Sequence, residues 1–434
     1  MAKVTFKING NTYSVLISNV LAGPEVGPTC TLVNFIRTYA KLQGTKWMCS
    51  EGGCGVCVVH VKYQDPNTKK DISKSMNSCM IPVFACDGWD ITTIERLGNS
   101  NKGYHSIQKQ LTKYNGSQCG YCTPGMVMNM YGLLATDPKP TEQKVEDAFD
   151  GNICRCTGRS ILQAMRSFAV DKDGNPIGKD EIPDIEHAVE KKDTLFATIP
   201  ATLLLKMNMN RSTDGVTKVI KHDEGTWHKP TTLKDLYNVL QSTMKTKTRL
   251  IVGNTGMGVF KYDGPYEHFI DVKVIPELYE ITSTDDKIVL GANITLTQMI
   301  EVFKKKTETS DKSAQSSIWN YFAAPQKENE GWEYCEALAH HISYIANVPV
   351  RNAASWAGNL QMKHDHHDFP SDVFAILEAA GAKVTVDLLI VVLNIPKRIF
   401  KFSDVIIIRA GCANDHMMEL QKKTYYRPIL LTWI

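Results

Sequence analysis

The chain has 434 residues, of which 43% are hydrophobic and 22% charged, a composition typical of a globular protein of about three domains. Its net charge is only +3 with both signs interspersed, so no strong field would draw nucleic acid or an anionic membrane. The longest apolar stretch, Leu388 to Ile395, is far shorter than the roughly 20 residues that cross a bilayer. Since Met1 to Gly10 lacks the apolar core of a signal peptide, we expect a cytoplasmic protein without membrane or nucleic-acid partners.

The cysteines are numerous and clustered. The chain has twelve, and ten of them lie before residue 160. Disulfides are disfavoured in a reducing cytoplasm, and paired short spacings are typical of thiolates that bind a metal or a cluster. We therefore predict metal or cluster ligation in the first third of the chain.

Residues 1–92 are predicted to form a small α+β domain, because short apolar runs alternate with turn residues. The predicted elements are a helix near Leu32 to Leu42 and the strands Val4 to Ile8, Tyr13 to Ile17, Val56 to Tyr63 and Trp89 to Thr92.

Residues 93–170 change to a helical pattern, which predicts a bundle of four short helices with cysteines at their ends. The clearest helix is predicted to be capped by Thr123. Another is predicted to be capped by Thr141 and to end at Gly151.

The rest of the chain divides into three parts. Residues 171–225 mix charges, glycine, proline and asparagine, and are predicted to be a linker. Residues 226–410 alternate helices with strands rich in valine and isoleucine, which indicates a third, α+β unit. Residues 411–434 match no known pattern. The predicted fold class is therefore α+β and multidomain, with several separate cores.

The first cysteine group has four residues between Cys49 and Cys54 and two between Cys54 and Cys57, with Cys79 further on. This is the plant-type [2Fe-2S] spacing. Glycines in the same loop let backbone amides approach the cluster without side-chain collision. The alternative is a zinc knuckle formed by Cys54, Cys57, Cys79 and Cys86. That alternative leaves Cys49 and the glycines without a role.

The second cysteine group comprises Cys119, Cys122, Cys154 and Cys156. Each pair precedes a predicted helix, so helix N-terminal amides can face an anionic cluster. Four cysteines in two pairs also suit tetrahedral zinc, but the neighbouring plant-type spacing favours a second cluster. The predicted metal ligands are thus Cys49, Cys54, Cys57, Cys79, Cys119, Cys122, Cys154 and Cys156.

With their flanks, these motifs resemble one family. EGGCGVC, GSQCGYCTPGMVMNMY and GNICRCTGR, within residues 3 to about 170, resemble the iron-sulfur domains of the molybdenum hydroxylases, which include aldehyde oxidases and xanthine dehydrogenases. Segments 44–49 and 82–93 are more similar to insect-type aldehyde oxidases. The resemblance implies a β-grasp plant-type [2Fe-2S] ferredoxin domain and a four-helix [2Fe-2S] bundle domain.

The stretch Leu250 to Gly258 has the pattern of a buried strand that runs into a glycine-rich loop. Such a loop can offer amides to a pyrophosphate, or it can be an ordinary tight turn. Segments 351–360 and 369–372 resemble the second FAD segment of the same family, which implies an α+β FAD-binding domain of the vanillyl-alcohol-oxidase (PCMH) type. The residues predicted to bind FAD are Leu250, Ile251, Val252, Gly253, Asn254, Thr255, Gly256, Met257, Ser355, Gly358, Asn359 and Asp372.

The resemblance also implies roles within that set. Ser355 and Asn359 would hydrogen-bond the flavin, and Asp372 would bind a ribityl or ribose hydroxyl. Beyond Val386 the resemblance fails, because Leu388 to Pro396 stands where the family completes the flavin pocket. We therefore expect an internally shortened FAD domain, in which retention of FAD is an open question.

In this family, substrate is hydroxylated at a molybdenum cofactor, and electrons pass through the two clusters to FAD. No molybdopterin-binding residue is recognisable here, so we expect a truncated product that is the electron-transfer portion of an aldehyde oxidase-like enzyme. Its implied partner is the missing molybdenum domain, its implied assembly is the family's homodimer, and no catalytic residue is assigned. A non-catalytic iron-sulfur isoform and a xanthine dehydrogenase-like fragment are the open alternatives, and the substrate and the electron acceptor are undetermined.

Overall fold

The computed structural model describes residues 3–16, 26–101, 103–177, 217–284, 287–310, 332, 334–380, 382–384 and 417–421. The first unit contains the strands β1 (Lys3–Ile8), β2 (Asn11–Leu16), β3 (Val58–Gln64), β4 (Asp71–Asn77) and β5 (Asp90–Thr92). They form one mixed sheet in the order β2-β1-β5-β3-β4, in which β1 is antiparallel to β2 and parallel to β5.

The sheet and one helix of this unit arise from simple apolar patterns. Val4, Phe6 and Ile8 alternate with less buried residues on β1, as expected for a strand with one buried face. The helix α1 (Leu32–Asn34) continues directly as a π-helix (Phe35–Tyr39), which confirms the helix predicted in this region. The four predicted strands are also confirmed, to within a few residues. Strand β4 was not predicted, because it lies at the sheet edge and its DISKSMN sequence lacks apolar alternation.

The second unit packs four helices around one apolar core. They are α2 (Ser106–Lys113), α3 (Thr123–Thr136), α4 (Glu142–Ala148) and α5 (Arg159–Arg166). The predicted cap of α4 is confirmed, since the Thr141 hydroxyl accepts a hydrogen bond from the Lys144 amide at 3.3 Å. Two other details were wrong. Thr123 is the first residue of α3 rather than its cap, and α4 ends before Phe149, ahead of Gly151.

The third unit contains two four-stranded sheets. The first has β6 (Lys218–His222), β7 (Gly225–Lys229), β8 (Thr248–Ile251) and β9 (His268–Asp271) in the order β6-β7-β9-β8. The second has β10 (Ile281–Ser283), β11 (Lys287–Gly291), β12 (Lys383–Val384) and β13 (Met417–Gln421) in the order β10-β11-β13-β12. The helices are α6 (Leu233–Thr243), α7 (Gly256–Val259), α8 (Leu296–Ser310), α9 (Tyr334–Ser343), α10 (Val348–Arg351), α11 (Trp356–Asp365) and α12 (Asp372–Ala379).

Two strands of the third unit lie outside the segment predicted for it. β6 falls within the predicted linker 171–225, and β13 falls within the unmatched tail, where it pairs with β11 and β12. The irregular sequence around both strands gave no periodic signal that could separate them from loops. The segments 178–216 and 388–396 lie outside the described residues.

The expectation of separate cores was wrong at one boundary. Ile220, Trp227, Ile251 and Phe269 of the third unit join the same apolar cluster as the five-stranded sheet of the first unit. The Trp227 ring meets the Phe84 ring edge-on, with centroids 5.7 Å apart. The first and third units therefore share a core. Among the described helices, none is long and apolar enough to cross a membrane.

Candidate cofactor sites

The first cysteine quartet is assembled by a loop and a strand pair. The register of β3 and β4 places Val58 opposite Asn77, so Cys57, just before β3, comes close to Cys79, just after β4. The Cys57 and Cys79 thiols lie within hydrogen-bonding reach of each other, and so do those of Cys49 and Cys54. The quartet therefore consists of two pairs of thiols.

The thiols of this quartet can all be ionised together only if a cation lies between them. The neighbouring Cys57 thiol, followed by burial, raises the pKa of Cys79 far above its ordinary value. Burial also acts to raise the pKa of Cys49, but backbone amides, led by that of Glu51 at 3.5 Å, outweigh it and lower that pKa. Four thiolates this close are stable only with positive charge between them, which a pair of irons supplies when bound.

The second quartet lies at the N-termini of two helices. Cys119 and Cys122 precede α3, and Cys154 and Cys156 precede α5. The thiols again form two pairs, Cys119 with Cys156 and Cys122 with Cys154. Cys119 and Cys156 are exposed, whereas three of the four thiols in the first quartet are buried.

Backbone amides just before α5 favour the ionised form of one thiol of this quartet. The Thr157 and Gly158 amides donate to Cys154 Sγ at 3.4 and 3.3 Å. Burial acts to raise the pKa of Cys154, but the Thr157 hydroxyl and these amides outweigh it and lower the pKa to about 7. Loop amides just ahead of α5 thus stabilise this thiolate.

The pairing of the thiols favours a cluster over a single ion. Zinc needs four ligands that converge on one point, whereas two bridged irons need one pair of thiolates each. Cys86, which the zinc alternative requires, is buried in the core of the sheet and donates to the Pro82 carbonyl. The donor sets therefore fit two [2Fe-2S] clusters.

The two quartets are joined by short contacts. The Ile153 amide donates to the Cys54 carbonyl at 3.1 Å. Cys54 is a predicted ligand of the first quartet, and Ile153 is the neighbour of Cys154 in the second quartet. Asn152 Nδ2 donates to the Gly55 carbonyl at 3.1 Å, and Asn129 Nδ2 donates to Asn152 Oδ1 at 2.7 Å. These contacts fix the two cysteine loops relative to each other.

The glycine-rich loop of the third unit lies between the first quartet and the second predicted FAD segment. Gly253 has no room for a side chain, since an added Cβ would lie 2.0 Å from the Ala353 carbonyl oxygen. Asn254 adopts a left-handed backbone with φ of 56°, and its Nδ2 donates to the Met80 carbonyl at 2.9 Å. Its Oδ1 is buried without a hydrogen-bond partner among the described residues. An acceptor without a partner among the described residues fits a hydrogen-bond donor of a ligand such as FAD.

The other residues predicted in this loop lie on a strand or in the turn and helix that follow it. Leu250 and Ile251 lie on β8, paired with Ile270 and Asp271 of the neighbouring strand. Val252 and Thr255 lie in the turn that leads into α7, and Gly256 and Met257 are the first two residues of that helix.

The second predicted FAD segment is occupied by helix caps. The Ser355 hydroxyl accepts a hydrogen bond from the Gly358 amide at 3.1 Å and caps α11. Asn359 Oδ1 accepts from the Ser371 hydroxyl at 2.6 Å, and Ser371 caps α12. Asp372 is exposed in the first turn of α12. The structure thus brings this segment against the glycine-rich loop, and the roles of these residues toward FAD remain predictions.

Sequence reasoning missed three groups that hold the units together. Asn347 Nδ2 donates to the Gly52 carbonyl at 2.8 Å, and Lys261 Nζ donates to the Cys49 carbonyl at 3.2 Å. Asp87 pairs with Lys218 and Lys229 of the third unit at 2.9 and 2.8 Å. The Asn347-Val-Pro sequence could have indicated a helix start, but no local signal marks the other groups.

Comparisons with known proteins match each unit to a domain family. Residues 25–84 match the 2Fe-2S iron-sulfur cluster binding domain, residues 93–166 match the [2Fe-2S] binding domain, and residues 220–389 match the FAD binding domain in molybdopterin dehydrogenase. The cofactors that these domains hold are therefore two [2Fe-2S] clusters and FAD. No molybdopterin-binding domain falls within these matches.

Relatives match most of this chain. It is 33% identical over 408 residues to Indole-3-acetaldehyde oxidase of Zea mays, covering 89% of this chain and 28% of that protein. It is 33% identical to Probable aldehyde oxidase 4 of Oryza sativa subsp. japonica, covering 88% of this chain and 45% of that protein. It is 31% identical to Xanthine dehydrogenase of Drosophila subobscura, covering 83% of this chain and 26% of that protein.

The chain spans less than half the length of these relatives, and its identities to the aldehyde oxidases and to the xanthine dehydrogenase are too similar to separate the two branches. Its two iron-sulfur domains and its flavin domain occur in the order expected from the sequence motifs. The chain belongs to the molybdenum hydroxylase family of aldehyde oxidases and xanthine dehydrogenases, of which it carries the iron-sulfur and flavin domains.

Proposed function

We propose that this chain is the electron-transfer portion of an aldehyde oxidase-like molybdo-flavoenzyme. Electrons would enter from a molybdenum-bearing domain at the second quartet, pass to the first quartet, and leave through FAD. The observation that carries this proposal is the spatial order of the sites. The exposed second quartet contacts the first through Ile153 and Cys54, and the first contacts the flavin loop through Asn254 and Met80.

The exposure of the second quartet supports entry of electrons at that end. Its Cys119 and Cys156 thiols are exposed, and so are the apolar side chains of Tyr121 and Ile153 beside them. An apolar surface around a redox site suits a protein donor. The partner we propose is a molybdenum-bearing domain or subunit, and the assembly we propose is the homodimer of the family.

The residues of this chain contribute positioning rather than bond chemistry. When bound, a [2Fe-2S] cluster takes up and releases one electron at a time, while FAD exchanges one or two. The cysteine pairs would hold the irons, and the amides facing Cys49 and Cys154 favour negative charge there. We also propose a cytoplasmic location, because reduced thiols are needed for both quartets.

We assign no catalytic residue to this chain and propose that, alone, it does not oxidise an aldehyde. The proposed FAD ligands are the glycine-rich loop around Asn254 and the side chains of Ser355 and Asn359, because these segments meet beside the first quartet. Substrate and electron acceptor are properties of the complete enzyme.

Metal and flavin content tests the proposal. Purified protein should contain about four iron, four acid-labile sulfide and one FAD per chain, and dithionite should bleach its visible spectrum. Cys119→Ala should lower iron to about two per chain while FAD is retained, because the first quartet and flavin loop are untouched. Cys335→Ala, at a buried cysteine outside both quartets, is the matched control and should keep about four iron. Zinc in place of iron, or no acid-labile sulfide, would refute the relay.

A further inference from the structure

Side chains of the flavin domain reach the backbone around the first quartet. Lys261 Nζ donates to the Cys49 carbonyl at 3.2 Å, Asn347 Nδ2 to the Gly52 carbonyl at 2.8 Å, and Asn254 Nδ2 to the Met80 carbonyl at 2.9 Å. Of these three donors, Lys261 alone carries a charge. The flavin domain therefore places one cation next to the backbone of a predicted cluster ligand.

The cation is paired with an acidic side chain of the same cysteine loop. Lys261 Nζ lies 2.6 Å from Glu51 Oε2, and the side chains of the two residues are 37% and 47% exposed. An ion pair this exposed contributes little to stability. Its position is more informative, because the Glu51 amide also donates to Cys49 Sγ at 3.5 Å. A paired positive and negative side chain thus lie together beside Cys49.

The Glu51 backbone is held in place by the same part of the flavin domain. An added Cβ on Gly258 would lie 2.6 Å from the Glu51 carbonyl oxygen, so the α7 backbone packs directly on the cysteine loop. The distance from Lys261 to the loop therefore depends on how the flavin domain is docked.

We propose that Lys261 sets the reduction potential of the cluster held by the first quartet, and so makes that potential depend on the docked flavin domain. The inference rests on the proposed function, since it requires a [2Fe-2S] cluster at this quartet. Reduction adds one electron to the cluster, with no bond formed or broken. A nearby cation stabilises the added charge and raises the potential, whereas the Glu51 carboxylate lowers it.

Redox titration of the purified holoprotein, followed by electron paramagnetic resonance, tests this. Lys261→Gln should shift the midpoint potential of the first cluster to more negative values and leave the second cluster unchanged. Lys261→Arg should keep the wild-type potential, and Glu51→Gln should shift it in the positive direction. Because the pair is partly exposed, added salt should reduce these shifts.

Lys234→Gln is the matched control, since it removes the same charge from an exposed lysine on α6. Its potentials should equal those of the wild type. If Lys261→Gln at low salt leaves the first potential unchanged, or shifts both clusters equally, the inference is overturned. If that variant loses its iron, the titration of Glu51→Gln decides, because absence of a positive shift also overturns it. A wild type without a first-cluster signal would instead refute the proposed function.

Discussion

The first quartet lies between the five-stranded sheet and the flavin domain, with Cys54, Cys57 and Cys79 buried, whereas the second quartet sits at two helix N-termini with Cys119 and Cys156 exposed. Each site therefore holds four thiols, but the two sites are built by different kinds of structure. Strand register and contacts between domains define the first site, and local helix geometry defines the second. We expect the first to be sensitive to distant mutations and the second to depend on its own loops.

The largest effect is expected at Gly55, where the two sites meet. Its φ is +69°, and an added Cβ would lie 2.3 Å from the Gly151 carbonyl oxygen and 2.4 Å from Asn152 Nδ2. Gly55→Ala should cost about 3 kcal/mol or more, because backbone strain adds to a clash between the two cysteine loops. Urea unfolding and iron content measure it, and both clusters should be affected.

The matched control is Gly88→Ala. Gly88 has a similar φ of +79°, but nothing lies within 4 Å of the position of its Cβ. Strain alone should cost roughly 1 kcal/mol there, with iron content unchanged. If both variants lose the same stability, the contact between the loops is not what holds the two sites together.

A smaller effect is expected from Asp87→Asn, at the contact between the first and third units. Burial acts to raise the pKa of Asp87, but Lys229, Thr5 and Lys218 outweigh it and lower the pKa to about 2. Loss of the carboxylate leaves Lys229 partly buried and unneutralised. The cost should be about 2 kcal/mol, below the roughly 3 to 5 of a fully buried pair. Urea unfolding at pH 7 and protease cleavage between the first and third units measure it.

Asp137→Asn provides the comparison in the helical bundle. Asp137 pairs with Lys144 at 2.8 Å, but the lysine side chain is 61% exposed. The cost should be less than about 1 kcal/mol. Equal costs for Asp87→Asn and Asp137→Asn would show that the ion pair between the first and third units contributes no more to stability than the exposed pair within the bundle.

The smallest effect concerns pH. His60 is fully buried on β3, where its Nε2 lies 2.7 Å from Ser73 Oγ and its ring meets Tyr131 of the helical bundle edge-on. Burial, followed by the charge of Lys62, lowers its pKa from 6.5 to about 4. The unfolded chain therefore binds the proton more readily, so this stability is complete above about pH 6.5 and is lost as pH falls toward 4.

Between pH 7.5 and 5.5 this histidine should account for a loss of about 1 kcal/mol. His60→Gln should have a correspondingly flatter dependence of the free energy of unfolding on pH, measured by urea denaturation at several pH values. A variant with the wild-type slope would show that His60 is not the group that titrates at this interface.

Local sequence was sufficient to predict the separate elements. Cys49, Cys54 and Cys57 are so close in the chain that spacing and glycine content predict their loop, and Cys154 lies at the helix start that the sequence indicated. Apolar alternation predicted β1, and the Thr141 cap was recognised because a cap is a contact within one turn. Both follow from backbone geometry over a few residues.

The contacts between elements could not be predicted in this way. The pairing of Cys57 with Cys79 depends on the β3 and β4 register, and β4 itself gave no apolar pattern. The core shared by the first and third units and the contacts of Asp87 and Lys261 join residues far apart in the chain.

By itself, then, the sequence determined which residues can ligate clusters, where most helices and strands begin, and which family the motifs resemble. Only the tertiary structure decided which thiols pair, which quartet is buried and which charges lie beside it. The physical reason is range: propensity, capping and ligand spacing act over a few residues, whereas burial and electrostatic environment are set by whichever distant segments pack against a site.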